Sequence, residues 1–153
     1  MLTAQLRLRG DDGPLSAQLV WPAGDARVRG AVMVVLFDAG EPDAVGHAEL
    51  VCRSAADSPG ILSLSAACRP GHELEDGARS LEWTADHAAQ LGVEGAGLIL
   101  AGLHGAAAIA AALAIRARDD GWPDVLHQLL IHPRFDGAAL ATALKGAPPA
   151  TLI

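Results

Sequence analysis

Aromatic residues are scarce in this sequence, and cysteine is rarer still. The 153 residues include three tryptophans, two phenylalanines and no tyrosine, which leaves few ring surfaces on which nucleobases or sugars could stack. The two cysteines, Cys52 and Cys68, do not belong to a Cys-x-x-Cys motif. Two isolated cysteines do not make a disulfide framework, so reduced thiols are expected.

Positive charge is also scarce, with 11 Lys and Arg against 18 Asp and Glu and a net charge of -7. Because nucleic acids and anionic membranes attract clustered basic side chains, neither is an expected partner. No apolar run is long enough to span a bilayer, and the N-terminal residues lack the basic-then-apolar pattern of a signal peptide. The sequence therefore predicts a cytoplasmic location.

Recognisable metal and nucleotide motifs are missing as well. The six histidines show neither His-x-x-x-His nor His-Glu-x-x-His spacing. The glycine pair Gly95-Ala-Gly97 precedes a predicted strand, whereas a dinucleotide-binding loop would open a helix. We therefore predict neither a metal nor a cofactor.

What the sequence does contain is an alternation of strand-like and helix-like segments. Residues 2–9 alternate apolar and polar positions, 10–14 form a turn, and 15–21 complete a hairpin. Further strands are predicted at 31–37, 61–64, 97–101 and 125–131, helices at 44–57, 75–91, 104–119 and 137–145, an irregular stretch at 66–74, and the start of another apolar run at 150–153. This order predicts a three-layer α/β/α sandwich with a mostly parallel sheet, in a single domain covering 1–153.

The segment from Leu98 to Leu113 predicts a buried strand, a tight turn and an alanine-rich helix, with His104 at the apex of the turn. This is the layout of the nucleophile elbow, in which a serine stands in Gly-x-Ser-x-Gly. Gly102 and Gly105 are expected to let the turn and the helix pack closely on the sheet.

Several further motifs occur in one order along the chain. Ser65-Ala-Ala-Cys-Arg-Pro-Gly-His72 is followed by Glu75-Asp76 and Leu81-Glu-Trp83, and later by Gln128-Leu-Leu-Ile-His-Pro133. Together they resemble the hormone-sensitive-lipase-like branch of the α/β-hydrolases, the bacterial carboxylesterases, whose motifs are Asp-Tyr-Arg-Leu-Ala-Pro-Glu-His, a helix with Glu-Asp and Leu-x-Trp, and a strand ending in Tyr-Pro. The resemblance covers roughly residues 15–135, and the last six residues resemble the start of a further strand.

The resemblance implies a site for a small acyl or ester ligand at the carboxyl edge of the sheet. The family's Gly-Asp-Ser-Ala-Gly corresponds to the elbow of this chain, and of its oxyanion motif His-Gly-Gly-Gly one glycine remains. The residues assigned to the site are His104 at the nucleophile position, Asp38, Ala39, Gly40 and Gly105 in the oxyanion-hole region, and His72 beside it.

The departures from the family predict a loss of catalysis. Imidazole replaces the serine hydroxyl, and the carboxylates of Asp38 and Glu41 would oppose a developing oxyanion. The family's catalytic acid and final histidine would follow the strand that begins at 148–153, and the cap segment before it is reduced to 134–147. We therefore expect a degenerate, C-terminally truncated α/β-hydrolase that is catalytically inactive and serves as a binding or interaction module.

Other interpretations stay open. His104 could work with Asp38 or His72 in a residual or repurposed ester hydrolase. The resemblance implies that Asp38 and His104 lie at the carboxyl ends of neighbouring strands, where open α/β sheets bind ligands, so Asp38, His72 and His104 could together hold a metal. Cys68 could also pair with His72 as a nucleophile. The chain could also be one fragment of a split hydrolase. Because a parallel sheet that stops at the start of a strand leaves backbone groups unpaired, we expect a homo-oligomer or a partner chain at the C-terminal sheet edge.

Overall fold

The computed structural model describes residues 1–24, 30–57, 61–93, 95, 97–134 and 148–153. Its elements, in chain order, are β1 Leu2–Gly10, β2 Gly13–Trp21, β3 Ala31–Asp38, α1 Ala44–Asp57, β4 Leu62–Cys68, α2 Glu73–His87, β5 Gly97–Leu103, α3 Ala106–Asp120, β6 Val125–Ile131 and β7 Ala150–Leu152. None of the described helices has the length and apolar character needed to cross a bilayer.

The described strands form one sheet in the order β1-β2-β4-β3-β5-β6-β7. β1 and β2 form an antiparallel hairpin, and β2 runs antiparallel to β4. The four remaining neighbouring pairs are all parallel. The predicted hairpin followed by a mostly parallel sheet is therefore confirmed.

Strand β3 lies in the middle of the sheet and is covered on both faces, as its unbroken apolar sequence predicts. On one face, Val32, Val34 and Leu36 share a core with α2 and α3. On the other face, Met33, Val35 and Phe37 share a second core with α1. The sheet thus forms the middle layer of an α/β/α sandwich, and the carboxyl ends of its parallel strands point to a common edge.

Several boundaries differ from the sequence prediction, most clearly around β4 and α2. The stretch 66–74, predicted to be irregular, instead continues β4 as far as Cys68 and begins α2 at Glu73. Small residues such as Ala66 and Ala67 have weak strand propensity, but pairing with Leu36 and Phe37 of β3 holds them in the sheet. Helix α2 ends at His87, four residues earlier than expected. The predicted helix 137–145 lies outside the described residues, as does the segment 134–147 apart from Arg134.

Close packing between α3 and β5 depends on Gly102. A Cβ atom there would lie 2.6 Å from the carbonyl oxygen of Ala106 and 2.6 Å from Cα of Ala107, both backbone atoms of the elbow helix. Gly105 does not share this role, because a Cβ at that position meets nothing within 4 Å. The expectation that both glycines permit close packing therefore holds only for Gly102.

A buried ion pair connects α2 to the loop after β4. Arg69 donates from Nε and Nη2 to the two carboxylate oxygens of Asp76 at 2.9 and 2.7 Å, and its backbone N–H adds a third bond at 2.9 Å. The Asp76 side chain is 0% exposed. Arg69 Nη1 also donates to the carbonyl of Asp12 in the hairpin turn at 3.0 Å, so one guanidinium joins β4, α2 and the hairpin.

Candidate functional site

The carboxyl edge of the parallel strands brings together residues that are far apart in the sequence. Leu36 of β3 pairs with Gly102 of β5, which places Asp38 level with His104. Leu103 of β5 pairs with Ile131 of β6, so the next residues, His104 and His132, are also neighbours. The expectation that Asp38 and His104 lie at the ends of adjacent strands is thus confirmed, at the edge where open α/β sheets bind ligands.

His104 occupies the tight turn between β5 and α3. Its backbone φ is +52°, in the left-handed region that residues other than glycine rarely adopt. Its N–H donates to the carbonyl of Ile131 at 2.8 Å, and its own carbonyl accepts from Ala107 at 3.2 Å. These bonds hold the side chain at the apex of a strand-turn-helix elbow.

Three imidazole rings gather at this apex. Nε2 of His104 lies 3.2 Å from Nδ1 of His47, which stands in the first turn of α1. The ring of His132 is stacked beside that of His104, with centroids 5.8 Å apart and an interplanar angle of 13°. We call His47, His104 and His132 the histidine cluster. In the bond between His47 and His104 one ring donates and the other accepts, so the accepting nitrogen carries no proton.

Backbone strain is concentrated around the same cluster. Among the described residues, the non-glycine positions with positive φ are Asp43 at 64°, His104 at 52° and His132 at 46°. Asp43 precedes α1, and its carbonyl accepts the N–H of His47 at 3.0 Å. Such conformations cost on the order of 1–3 kcal/mol each and occur most often at functional sites. All three outliers carry or support a histidine of the cluster.

The loop after β3 has its backbone donors occupied by atoms of this chain. The N–H of Gly40 donates to Oδ1 of Asp38 at 2.8 Å. The N–H of Ala39 donates to the carbonyl of Cys68 at 2.9 Å, and that of Glu41 to the carbonyl of Asp38 at 3.2 Å. A carboxylate of the protein therefore takes the bond that Gly40 would offer to a bound anion.

The Glu41 side chain is also engaged at this edge. Its Oε1 lies 2.6 Å from Nη2 of Arg134, and the carboxylate is largely buried while the guanidinium is exposed. At this edge, therefore, the carboxylate of Asp38 accepts a backbone N–H and that of Glu41 pairs with an arginine.

Comparison with known proteins agrees with this architecture. A family model described as the alpha/beta hydrolase fold matches residues 64–150. Esterase LipI of Mycobacterium tuberculosis is 31% identical over 137 residues, which cover 84% of this chain and 42% of LipI. The chain belongs to the α/β-hydrolase fold family. The predicted hormone-sensitive-lipase-like, carboxylesterase branch is confirmed by the same matches.

Solved structures of other α/β-hydrolases superpose well on the chain. An esterase of Pyrobaculum calidifontis gives a TM-score of 0.75 at 22% identity, covering 99% of this chain and 65% of that one. A bacterial heroin esterase gives 0.76 at 20% identity, covering 92% and 48%. At these identities the likeness shows the fold alone. The chain spans less than two thirds of the length of each of these relatives.

His72, predicted beside the oxyanion-hole region of this α/β-hydrolase, has a partner elsewhere. It stands at the start of α2, and its Nδ1 lies 3.6 Å from Oδ2 of Asp12 in the hairpin turn. No group of three His, Cys, Asp or Glu side chains within the described part of the chain could hold a metal ion. The structure therefore gives no support to a metal site built from Asp38, His72 and His104.

Both cysteines of the hydrolase domain are buried. Burial raises the pKa of the Cys68 thiol to about 12, and nearby carboxylates led by Asp76 add to the effect. Burial likewise raises the pKa of Cys52 to about 11. The thiolate is the nucleophilic form of cysteine, so the environment of Cys68 opposes its use as a nucleophile with His72.

Two members of the histidine cluster were not singled out by the sequence. His132 directly follows β6, and the rule that placed Asp38 and His104 at one edge applies to it equally. His47 had no such signal, because it belongs to a helix and meets His104 across 57 residues of sequence. Gly105 precedes α3 as its N-cap, with an ordinary φ of -63°, and is exposed; its assignment to the oxyanion-hole region stays a prediction.

Proposed function

We propose that this α/β-hydrolase domain does not carry out serine-type acyl transfer and instead acts as a binding module, with its ligand at the carboxyl edge of the sheet. The observation that carries the proposal is the hydrogen bond from the Gly40 N–H to the Asp38 carboxylate. A serine hydrolase needs such donors free for the oxyanion of its tetrahedral intermediate. In this chain the donor is already bound to a negative charge of the protein.

The energetic cost of this arrangement to acyl transfer is large. Losing one oxyanion donor lowers the rate of a serine protease by about 10²–10³. Placing an oxyanion about 4 Å from a second negative charge adds on the order of 4 kcal/mol at an effective dielectric constant of 20. The residues Gly102–Ala106 also contain no serine, so the acyl-enzyme ester of the family could not form at the elbow.

The ligand class follows from family membership and from the composition of the edge. Proteins similar to this chain are esterases by name, so a small acyl or ester compound is the proposed ligand class. The histidine cluster offers ring edges and nitrogen donors to a carbonyl oxygen, whereas Asp38 disfavours a free carboxylate. An uncharged ester or amide is therefore a better fit than its acid.

The test is hydrolysis of p-nitrophenyl butyrate by purified protein, with His104→Ala beside it. Free imidazole groups hydrolyse activated esters slowly, so His87→Ala serves as a matched control, since His87 lies on α2 and stacks against Trp83. We expect no turnover above the level of the control that depends on His104. Saturable turnover that His104→Ala abolishes and His87→Ala leaves intact would refute the proposal.

A second candidate function rests on the 3.2 Å bond between His47 and His104. If Nε2 of His104 carries the proton, Nδ1 of His104 would attack the carbonyl carbon of an activated ester, and the bond to the leaving oxygen would break to release a phenolate. The proton on Nε2 would pass to Nδ1 of His47 and then to solvent, and water would hydrolyse the acyl-imidazole to the carboxylic acid and free imidazole. His47→Ala separates this route from simple binding, because it would lower the turnover that His104→Ala abolishes.

We also propose that the outer edge of β7 pairs with β7 of a second copy. β7 follows β6 in parallel, and Leu152 and Ile153 beside that edge are 55% and 61% exposed. Ile153 bonds inward to Leu130, so by alternation the N–H of Leu152 faces outward. Leu152→Pro removes that donor and is expected to convert a dimer to a monomer in light scattering. A monomeric parent protein at high concentration would exclude the pairing.

A further inference from the structure

The spacing of His47 and His104 suits coordination of a metal ion as well as a hydrogen bond. Their facing nitrogens are 3.2 Å apart. If both nitrogens bind the same metal ion at about 2.1 Å, this separation gives a nitrogen–metal–nitrogen angle of about 100°. That angle suits cis ligands in tetrahedral or square-planar coordination. A modest ring rotation would turn both lone pairs from each other toward a shared ion.

Both ligands are carried by well-defined backbone. His47 lies in the first turn of α1, where its N–H is bonded to the carbonyl of Asp43. His104 is fixed in the elbow by bonds on both sides of its strained backbone. Sites built on rigid elements hold their ligands more accurately than sites on loops. The two rings are also accessible, since His47 is exposed and His104 is half-buried.

The electrical environment of the pair favours a cation. Asp38 ends β3 and Asp43 lies in the loop before α1, and the whole chain has a net charge of -7. Asp38 already accepts the Gly40 N–H, so it acts on an ion through charge and leaves direct ligation to the imidazoles. The charge of Glu41 is offset by Arg134. Neutral imidazole prefers zinc, copper and nickel over magnesium or calcium.

His132 stands beside the pair without converging on it. Its ring is nearly parallel to that of His104 at 5.8 Å, and the described residues include no three-ligand group able to hold a metal. Any ion at this position would therefore have two protein ligands and would fill its other positions with water or with a bound carbonyl or carboxylate ligand.

We propose that His47 and His104 form a two-nitrogen chelate for a divalent transition metal ion of the copper, nickel and zinc class. The inference builds on the binding role proposed above and deepens it, because such an ion would supply an open coordination position for the ligand. Cu²⁺ should bind more tightly than Zn²⁺, following the general order of affinity for nitrogen sites. Mg²⁺ should not bind.

The experiment is calorimetric titration of tag-free protein with Cu²⁺, Zn²⁺ and Mg²⁺, together with electron paramagnetic resonance of the copper complex. We expect one ion per chain and nitrogen hyperfine structure from two imidazoles. His47→Ala and His104→Ala should each weaken binding by at least about tenfold, since loss of even an outer-shell partner costs 10–100-fold. His87→Ala, on α2 and outside the histidine cluster, should leave the affinity within about twofold of the parent, a difference of less than 0.5 kcal/mol.

The inference is overturned if Cu²⁺ binds the parent no more tightly than it binds the His47→Ala/His104→Ala double variant. Equal weakening by His132→Ala would also overturn a two-ligand site. Should His104→Ala fail to fold by circular dichroism, His47→Ala decides alone, because His47 is exposed at the surface of α1. Ester turnover in excess chelator would refute the proposed binding role and leave the metal result unaffected.

Discussion

Oδ1 of Asp38 lies 2.8 Å from the backbone nitrogen of Gly40, two residues further along the same loop. His104 stands at the apex of the neighbouring elbow. Under the proposed function, these two features together prevent acyl transfer at this edge of the sheet.

Removing the Asp38 carboxylate should open this edge to anions. In Asp38→Ala the Gly40 N–H loses its internal acceptor and the local negative charge falls by one. We expect butyrate to bind at least about tenfold more tightly, because a nearby like charge costs several kcal/mol in a partly buried site. Chemical-shift titration with butyrate measures the change. Asp86→Asn, which removes an exposed charge on α2, should have no effect; equal affinities in the parent and Asp38→Ala would contradict the assignment.

The ion pair between Arg69 and Asp76 should govern stability in acid. Burial by itself raises the pKa of Asp76, but the hydrogen bonds from Arg69 outweigh it and leave the pKa below its ordinary value. A lowered folded-state pKa means that the ionised form is stabilised by folding. The contribution is therefore present above the unfolded value of about 3.9, and it is lost as the pH falls through the folded value.

Asp76→Asn should lower the free energy of unfolding by about 3 kcal/mol at pH 7, since it leaves a partly buried arginine without its charge partner. Urea denaturation of the parent and the variant across pH measures this loss and its pH dependence. The difference in free energy of unfolding between the two proteins should shrink as the pH falls below the unfolded-state pKa of Asp76. Arg79→Gln breaks the exposed pair with Asp11 and should change stability little at any pH. A pH-independent difference for Asp76→Asn would show that the charge is not the cause.

The two elbow glycines provide a matched pair for testing close packing. Gly102→Ala places a methyl group 2.6 Å from backbone atoms of α3, which cannot move without shifting the helix. We expect a loss of about 1–3 kcal/mol in the free energy of unfolding, the range for overpacked sites. Gly105→Ala meets open space at an ordinary φ and should change stability by less than about 0.5 kcal/mol. Equal losses of stability for the two variants in thermal denaturation would refute the predicted difference between Gly102 and Gly105.

The buried cysteines should be unreactive in the folded protein. With pKa values of about 11 for Cys52 and about 12 for Cys68, both are protonated thiols at pH 8, and neither is exposed. Ellman's reagent should therefore label no thiol in native protein and two thiols in concentrated urea. Rapid labelling of one thiol in the native state, mapped to Cys68, would revive a cysteine nucleophile.

The sequence by itself determined the scaffold. Three local patterns of the sequence are found again in the fold: the apolar run 31–37, the hairpin turn and the strand-turn-helix around His104. Each of them depends on neighbours within a few residues. The resemblance to the family, and not local pattern, placed Asp38 and His104 at the ends of neighbouring strands, as the pairing of β3 with β5 confirms. Local pattern was less informative at Ala66 and Ala67, where pairing with β3 overrode weak strand propensity.

Which side chains meet depends on tertiary packing. The contact between His47 and His104 joins residues 57 apart in sequence, and it depends on how α1 packs over the sheet and on the rotamers of both rings. His72 contacts Asp12 because the start of α2 lies beside the hairpin turn. The Asp38 carboxylate accepts the N–H of Gly40, two residues later, at 2.8 Å. Distances of this kind depend on packing and on side-chain rotamers, so the spacing of residues along the chain does not predict them.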